Sequence, residues 1–306
     1  MAGFTLAHLS DPHLATELPA GAWPRLTLKQ TLALSSWRRR RSRLHRMTAL
    51  ELLRDDVAKT DHCHVAVTGD LVNIADRAEF PPASDWLASL GSPDRVSVVS
   101  GNHDHTRRAP PGGGPALWEA FSRGDRGEGA PWLRVRDGIA LVGLESGRPT
   151  PLGWAGGALG RRQIAEAAHL LRAAARRGLF RIVLIHHPPV PGPGGERKAL
   201  RDRAGLRAML AREGAELVLH GHHHITLHRE IPGPHGPIAV IGVPSASALP
   251  ERGDHHEPAT WHLHSIEAEA GFWRLTTSSR RLDPRCGAFI DGERLGRRIA
   301  RPGPAQ

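Results

Sequence analysis

The run Leu217-Val218-Leu219-His220-Gly221-His222-His223-His224 decides how the chain is organised. An apolar stretch ends in a glycine between imidazoles, and three imidazoles follow. In an extended segment alternate side chains share a face, so His222 and His224 point one way and His223 another. Two imidazoles converging at a strand end make half of a metal site. A bare Gly-His-x-His is a weak signal, so its meaning depends on whether other segments supply the other half.

Four other apolar runs end in the same manner. Residues 4–9 close on Ser10-Asp11-Pro12-His13, where Pro12 stops the strand and Asp11 and His13 repeat the one-residue spacing. An Asp-Pro turn is the alternative for that piece alone. Residues 64–68 close on Gly69-Asp70, and residues 96–100 on Gly101-Asn102-His103-Asp104, where Gly101 permits a tight turn. Residues 181–185 close on His186-His187-Pro188-Pro189. Ligand sites in α/β sheets lie beyond the carboxyl ends of strands, so the five clusters together predict one site. Asp11, His13, Asp70, Asn102, His186, His222 and His224 offer carboxylate, carboxamide and imidazole donors, a set that suits Mn, Fe or Zn. They exceed the needs of one ion. With a shared carboxylate they suit two divalent or mixed-valence ions about 3.5–4 Å apart, which would orient a phosphoryl group between them.

Between the clusters, helical spacing appears at residues 26–34, 47–59, 161–177 and 198–213. It also appears at 76–90, where Pro81-Pro82 interrupts it. Residues 105–131 read as a Pro- and Gly-rich loop with a short helix at 116–121. Residues 139–144, 238–243, 260–266 and 272–277 read as strands. Strand–helix alternation followed by a run of strands predicts an α/β fold, a mixed sheet system with helices outside. The expected organisation is one domain over 1–280, a basic helical insertion at about 25–46, and a basic tail, 281–306, loosely held.

The 306 residues carry a net charge of +10, which favours anionic partners or is simply a solvated basic surface. Cys63 and Cys286 exclude a CxxC site and suit a reducing compartment. The first residues lack a basic leader, and no apolar stretch nears the roughly 20 residues that span a bilayer. A cytoplasmic location is expected, with peripheral contact to an anionic membrane through Trp37-Arg38-Arg39-Arg40-Arg41 and its flanking leucines as an option.

Asp11-Pro12-His13, Gly69-Asp70, Gly101-Asn102-His103-Asp104, His186-His187-Pro188-Pro189 and Gly221-His222-His223-His224 resemble, in order, the motifs of the calcineurin-like metallophosphoesterase superfamily. The resemblance covers residues 4–224, and its HHPP form is similar to the bacterial phosphodiesterase branch. It implies an αββα sandwich of two mixed β-sheets with a dinuclear site at one rim. By the same resemblance Asp11, His13 and His224 hold one metal, Asn102, His186 and His222 the other, and Asp70 bridges them. His103 then protonates the leaving oxygen or stabilises charge on phosphorus, and Asp104 orients His103. Asn73 stands where many relatives carry an acid, which makes Asp104 the expected support.

The implied activity is hydrolysis of a phosphodiester or pyrophosphate by a metal-bridging hydroxide. Arg107, Arg108, His187 and His223 are candidate substrate contacts, or else solvated loop and pocket residues. Expected substrates are small phosphorylated molecules such as cyclic nucleotides, or lipid-linked pyrophosphates. The latter would make the protein similar to the UDP-2,3-diacylglucosamine pyrophosphatases of lipid A synthesis. Nucleic acid is the further alternative that the charge allows.

Overall fold

The computed structural model describes residues 3–18, 25–251 and 253–301. In chain order the strands are β1 (Phe4–Leu9), β2 (His64–Val67), β3 (Val96–Val98), β4 (Trp132–Arg136), β5 (Ile139–Gly143) and β6 (Phe180–Leu184), then β7 (Leu217–His220), β8 (Leu227–Ile231), β9 (Ile238–Gly242), β10 (Thr260–Glu269), β11 (Phe272–Asp283) and β12 (Ala288–Ala300). The longer helices are α1 (Leu28–Ser36), α2 (Met47–Lys59), α3 (Phe80–Leu90), α4 (Arg161–Arg176) and α5 (Arg203–Glu213).

Two six-stranded sheets form, ordered β12-β11-β10-β1-β2-β3 and β4-β5-β6-β7-β9-β8. β1, β2 and β3 run parallel in the first, and β5, β6, β7 and β9 in the second. Both faces of these strands are covered, so they read as nearly continuous apolar runs. Leu6, Ile182, Leu184, Leu217, Leu219 and Leu275 meet between the sheets. Outside the first sheet, Leu50 and Leu53 of α2 and Leu87 of α3 cover Ala7, Val65 and Val67. Outside the second, Ala167 and Leu171 of α4 and Leu206 and Leu210 of α5 cover Val183 and Val218. The result is the expected αββα sandwich of two mixed sheets.

Several local expectations change. Pro81 and Pro82 do not interrupt a helix; they sit in the first turn of α3, where a missing N–H costs nothing. The segment after Arg280 is not a loose tail. β11 runs to Asp283, and Ala288–Ala300 pairs antiparallel with it, Leu282 opposite Phe289. Residues 302–306 of that expected tail lie outside the described residues. β4 and β8 add antiparallel edges that their mixed polarity hides.

The basic insertion folds onto the domain. Thr27 and Gln30 form a reciprocal capping box at the start of α1. The buried Gln30 amide donates to the Ile74 carbonyl at 3.0 Å, and Leu34, Trp37 and Ile74 cluster beneath the helix. A π-helical turn, Trp37–Arg41, follows. Trp37 is only 5% exposed, so it is not free to meet acyl chains as the sequence suggested.

Candidate metal centre

The parallel strands deliver their polar ends to one rim. β1 leads into Asp11 and His13, β2 into Asp70, β3 into Asn102, His103 and Asp104, β6 into His186 and His187, and β7 into His222, His223 and His224. Asp11, His13, Asp70, His222 and His224 all take positive φ, between 42° and 71°. Non-glycine residues in that region cost on the order of 1–3 kcal/mol each, and such strain persists where surrounding structure imposes it, typically at functional sites. Here the loops brace each other: Asp11 N donates to Gly69 O at 2.9 Å and His13 N to Asp70 O at 3.1 Å.

Glycines allow the close approach. A Cβ on Gly101 would strike the Asp70 carboxylate and the His186 ring, and one on Gly221 would strike Ser10 and the Asp11 carboxylate.

Two donor groups result. In one, His224 Nε2 lies 3.1 Å from Asp11 Oδ1 and 3.3 Å from His13 Nε2. His13 Nε2 stands 4.0 Å from Asp70 Oδ2. In the other, His186 Nε2 lies 3.4 Å from the same Asp70 Oδ2, beside the rings of His187 and His222. His186 Nδ1 donates to the Thr68 carbonyl at 2.6 Å, which aims Nε2 at Asp70. His222 Nε2 donates to the Lys198 carbonyl at 2.8 Å, which leaves Nδ1 as its ligating nitrogen. Asp70 thus faces both groups.

The residues fit a metal pair. Buried Asn102 Oδ1 and His186 Nε2 have no hydrogen-bond partner in the protein, although buried polar atoms normally find one. The donor chemistry is that of borderline divalent ions. Burial pushes the Asp70 carboxyl up, but His186 and His103 outweigh it and hold the group well below the usual carboxylate range. Burial lowers the His186 imidazole, yet the Asp70 carboxylate prevails and raises it to about 10.

Asp104 does not orient His103. Its carboxylate accepts backbone N–H groups of Asp70, Leu71, Val72 and Gly101 at 2.8–3.1 Å, clamping the Asp70 loop. Burial and then the Asp70 charge push it up to about 7. His103 is oriented by the Asn73 backbone carbonyl, 2.5 Å from Nδ1. Asn73 thus supplies with its main chain what an acidic side chain was expected to give. His187 is fully buried, held by Ser146 Oγ at 2.8 Å and the Ala155 carbonyl at 3.0 Å, so it buttresses His186 and His222 and is closed to substrate. His223 does line the cleft. Arg107 and Arg108 are exposed and lie outside it.

Two residues escaped the sequence reading. Arg41, from the π-helical turn, places Nη2 3.0 Å from His13 Nε2 and Nη1 3.2 Å from His103 Nε2. Its membership of an arginine run was the only hint. His45 is buried, hydrogen-bonded to Ser247 Oγ at 3.0 Å, with its ring 4.6 Å from that of His13. It ends no strand, so nothing in its surroundings marked it. The cleft over the site measures about 610 Å³ and is lined by Arg39, Arg40, Arg41, Asp70, His103 and His224 among others.

An αββα sandwich with carboxylate, imidazole and carboxamide donors meeting at one rim is the arrangement of a dinuclear metallohydrolase. The chain belongs to the calcineurin-like phosphoesterase family, whose model matches residues 4–226. It is therefore a hydrolase of phosphoester bonds, in a family that uses a dinuclear divalent metal centre. No curated protein matches it. Among solved structures it is similar to a dimetal phosphatase from Danio rerio, at 13% identity and a TM-score of 0.62, covering 98% of this chain and 99% of that one. It is more weakly similar to the NAD nucleotidase of Haemophilus influenzae, at 13% identity and a TM-score of 0.42, covering 98% of this chain and 50% of that one. Among the described residues no helix is long and apolar enough to cross a membrane.

Proposed function

We propose that the protein hydrolyses a small phosphodiester or pyrophosphate carrying more charge than one phosphoryl group. The observation behind this is the arginine row over the rim: Arg41 touches His13 and His103, and Arg39, Arg40 and Arg43 line the same cleft. Two metal ions and one guanidinium suffice for a single phosphoryl group, so the further arginines favour a second anionic group.

When bound, the metal pair generates a nucleophile from water at neutral pH and neutralises phosphoryl charge. Asp11, His13 and His224 would hold one ion, Asn102, His186 and His222 the other, and Asp70 would be shared. Mn, Fe or Zn suits these donors. Arg41 grips the non-bridging oxygens. Burial and then Arg41 lower His103 to about 4, so it is neutral in the free protein and accepts from Arg41. A phosphoryl group that draws Arg41 onto its own oxygens removes a cation from His103 and brings an anion close. Both changes raise its pKa. With its pKa raised, His103 takes a proton from solvent at Nε2 and can pass it to the leaving oxygen.

A lipid-linked pyrophosphate is the second reading. Leu28 and Leu32 support it, 68% and 47% exposed on the insertion, where they would meet acyl chains or an anionic membrane surface.

The test is a hydrolysis panel with the metal-reconstituted enzyme: a phosphomonoester, a chromogenic diester, cyclic AMP, and a UDP-linked sugar with and without acyl chains. Turnover of a diester or the UDP-sugar well above the monoester is expected; turnover of the monoester alone would contradict the reading.

A further inference from the structure

Three histidines outside the rim site meet between the sheets. His8 lies on β1, and His262 and His264 on β10, in antiparallel register with His8 opposite His262 and Leu6 opposite His264. Leu6 and Ile266 belong to the inter-sheet core. By strand alternation His8, His262 and His264 share that face. All three are fully buried. Their ring centroids are 5.8–6.3 Å apart, and one nitrogen from each lies within 4.8 Å of the other two.

Their hydrogen bonding is incomplete. His8 Nε2 meets Thr68 Oγ1 at 3.0 Å, and His264 Nδ1 meets Thr277 Oγ1 at 2.9 Å. His8 Nδ1, His264 Nε2 and both nitrogens of His262 have no partner in the protein. Fully buried polar atoms are rarely left so, and an apolar core gains nothing from four of them in one place. His8 and His264, each fixed through one nitrogen with the other free, are arranged as metal ligands are, and His262 offers either nitrogen.

We infer that His8, His262 and His264 form a third cation site, separate from the rim pair, for a borderline divalent metal such as Zn²⁺, Co²⁺, Ni²⁺ or Cu²⁺. Imidazoles without a carboxylate disfavour Mg²⁺, Mn²⁺ and Ca²⁺. Metal–nitrogen bonds of about 2.0–2.1 Å put tetrahedral nitrogens about 3.3 Å apart, so each ring moves inward by less than about 1 Å. Burial also keeps these imidazoles neutral, as a ligand must be: it lowers His262 to about 3, and His8 and His264 in the same direction. The fourth position falls to water, because among the described residues no fourth histidine, cysteine or carboxylate joins the cluster.

The nearest approach from solvent is a neighbouring cleft. A cleft of about 480 Å³ opens between β8–β9 and β11–β12, lined by His228, Ile241, Leu275, Thr277 and Leu295. Thr277 is the hydroxyl that holds His264, so one side chain separates the cleft from the site. Among the described residues no carboxylate or thiol joins the three rings in their cluster, which makes this a stabilising site for the β1–β10 pairing and not a second reaction centre.

The test is zinc-edge anomalous diffraction from wild-type crystals grown with Zn²⁺, together with metal counting by native mass spectrometry. An anomalous peak between the three rings, besides those at the rim, is expected, with three zinc ions per chain. The His262→Leu variant should bind two, and zinc should raise its melting temperature less than it raises the wild type's. If that variant fails to fold, the wild-type diffraction decides alone. Rim peaks without an inter-sheet peak, or the same zinc count in wild type and variant, would mean that water fills the cluster, and would overturn the site.

Discussion

Arg41 donates to His103 across the mouth of the rim site, 3.2 Å from Nη1 to Nε2, while its other terminal nitrogen reaches His13 at 3.0 Å. An insertion outside the sandwich therefore delivers a guanidinium to the reacting centre. Arg41→Ala should lower kcat/KM by about 10²–10³-fold, the usual loss of a preorganised charge donor. Arg41→Lys should recover only part, since an ammonium cannot span two partners with a planar fork. Because Arg41 helps hold His103 near pKa 4, its removal should also shift the His103 titration upward by NMR. Unchanged kinetics in Arg41→Ala would mean that substrate binds elsewhere.

His103 and its neighbour Asp104 should separate cleanly. His103→Gln is expected to lower kcat by about 10²–10⁴-fold, the usual range for a proton-transfer group, with metal content unchanged. Asp104→Ala leaves four backbone N–H groups without their acceptor. It should cost about 1–3 kcal/mol and weaken metal binding with activity. Kinetics paired with metal analysis distinguishes the two.

Gly101→Ala tests the crowding at the rim. Its Cβ would collide with the Asp70 carboxylate and the His186 ring, so the variant should lose metal affinity and activity while its sheets remain. Retention of the full metal complement would show that these loops give way more readily than their bracing indicates.

Stability should fall with acid, beginning near pH 6.5. His64 is buried against Ser97 Oγ, 2.8 Å away. Burial, and then Arg134, lower its pKa to about 3. An unfolded histidine titrates near 6.5, so between these values the unfolded chain binds the extra proton and stability falls with pH, by up to about 1.4 kcal/mol per unit from this group. Denaturant midpoints at pH 7.5 and 5.5 should differ in that direction, and His64→Gln should narrow the gap. Greater stability at pH 5.5 would contradict the sign.

The rim was legible because each motif is a polar cluster closing an apolar run, and parallel strands gather such ends. What stayed hidden depends on packing. Asp104 adjoins His103 in sequence and reads as its support, but the turn at Gly101 sends its carboxylate to the backbone of the Asp70 loop. Four consecutive arginines offer no sign of which one turns inward; the π-helical turn selects Arg41. β12 is an edge strand exposed along most of its length, so its charge reads as a tail and only the ladder with β11 orders it. His8, His262 and His264 sit inside strands on either side of a sheet pairing that no local pattern announces.

The central claim is that Asp70 joins two metal ions into one hydrolytic centre. The most direct measurement is metal content together with turnover of a chromogenic phosphodiester, on the same preparations of wild type and Asp70→Asn. A rim pair of ions is expected in the wild type, and in the variant the loss of at least one of them with activity lower by at least about 100-fold. A folded Asp70→Asn protein with the same metal content and the same turnover would contradict it.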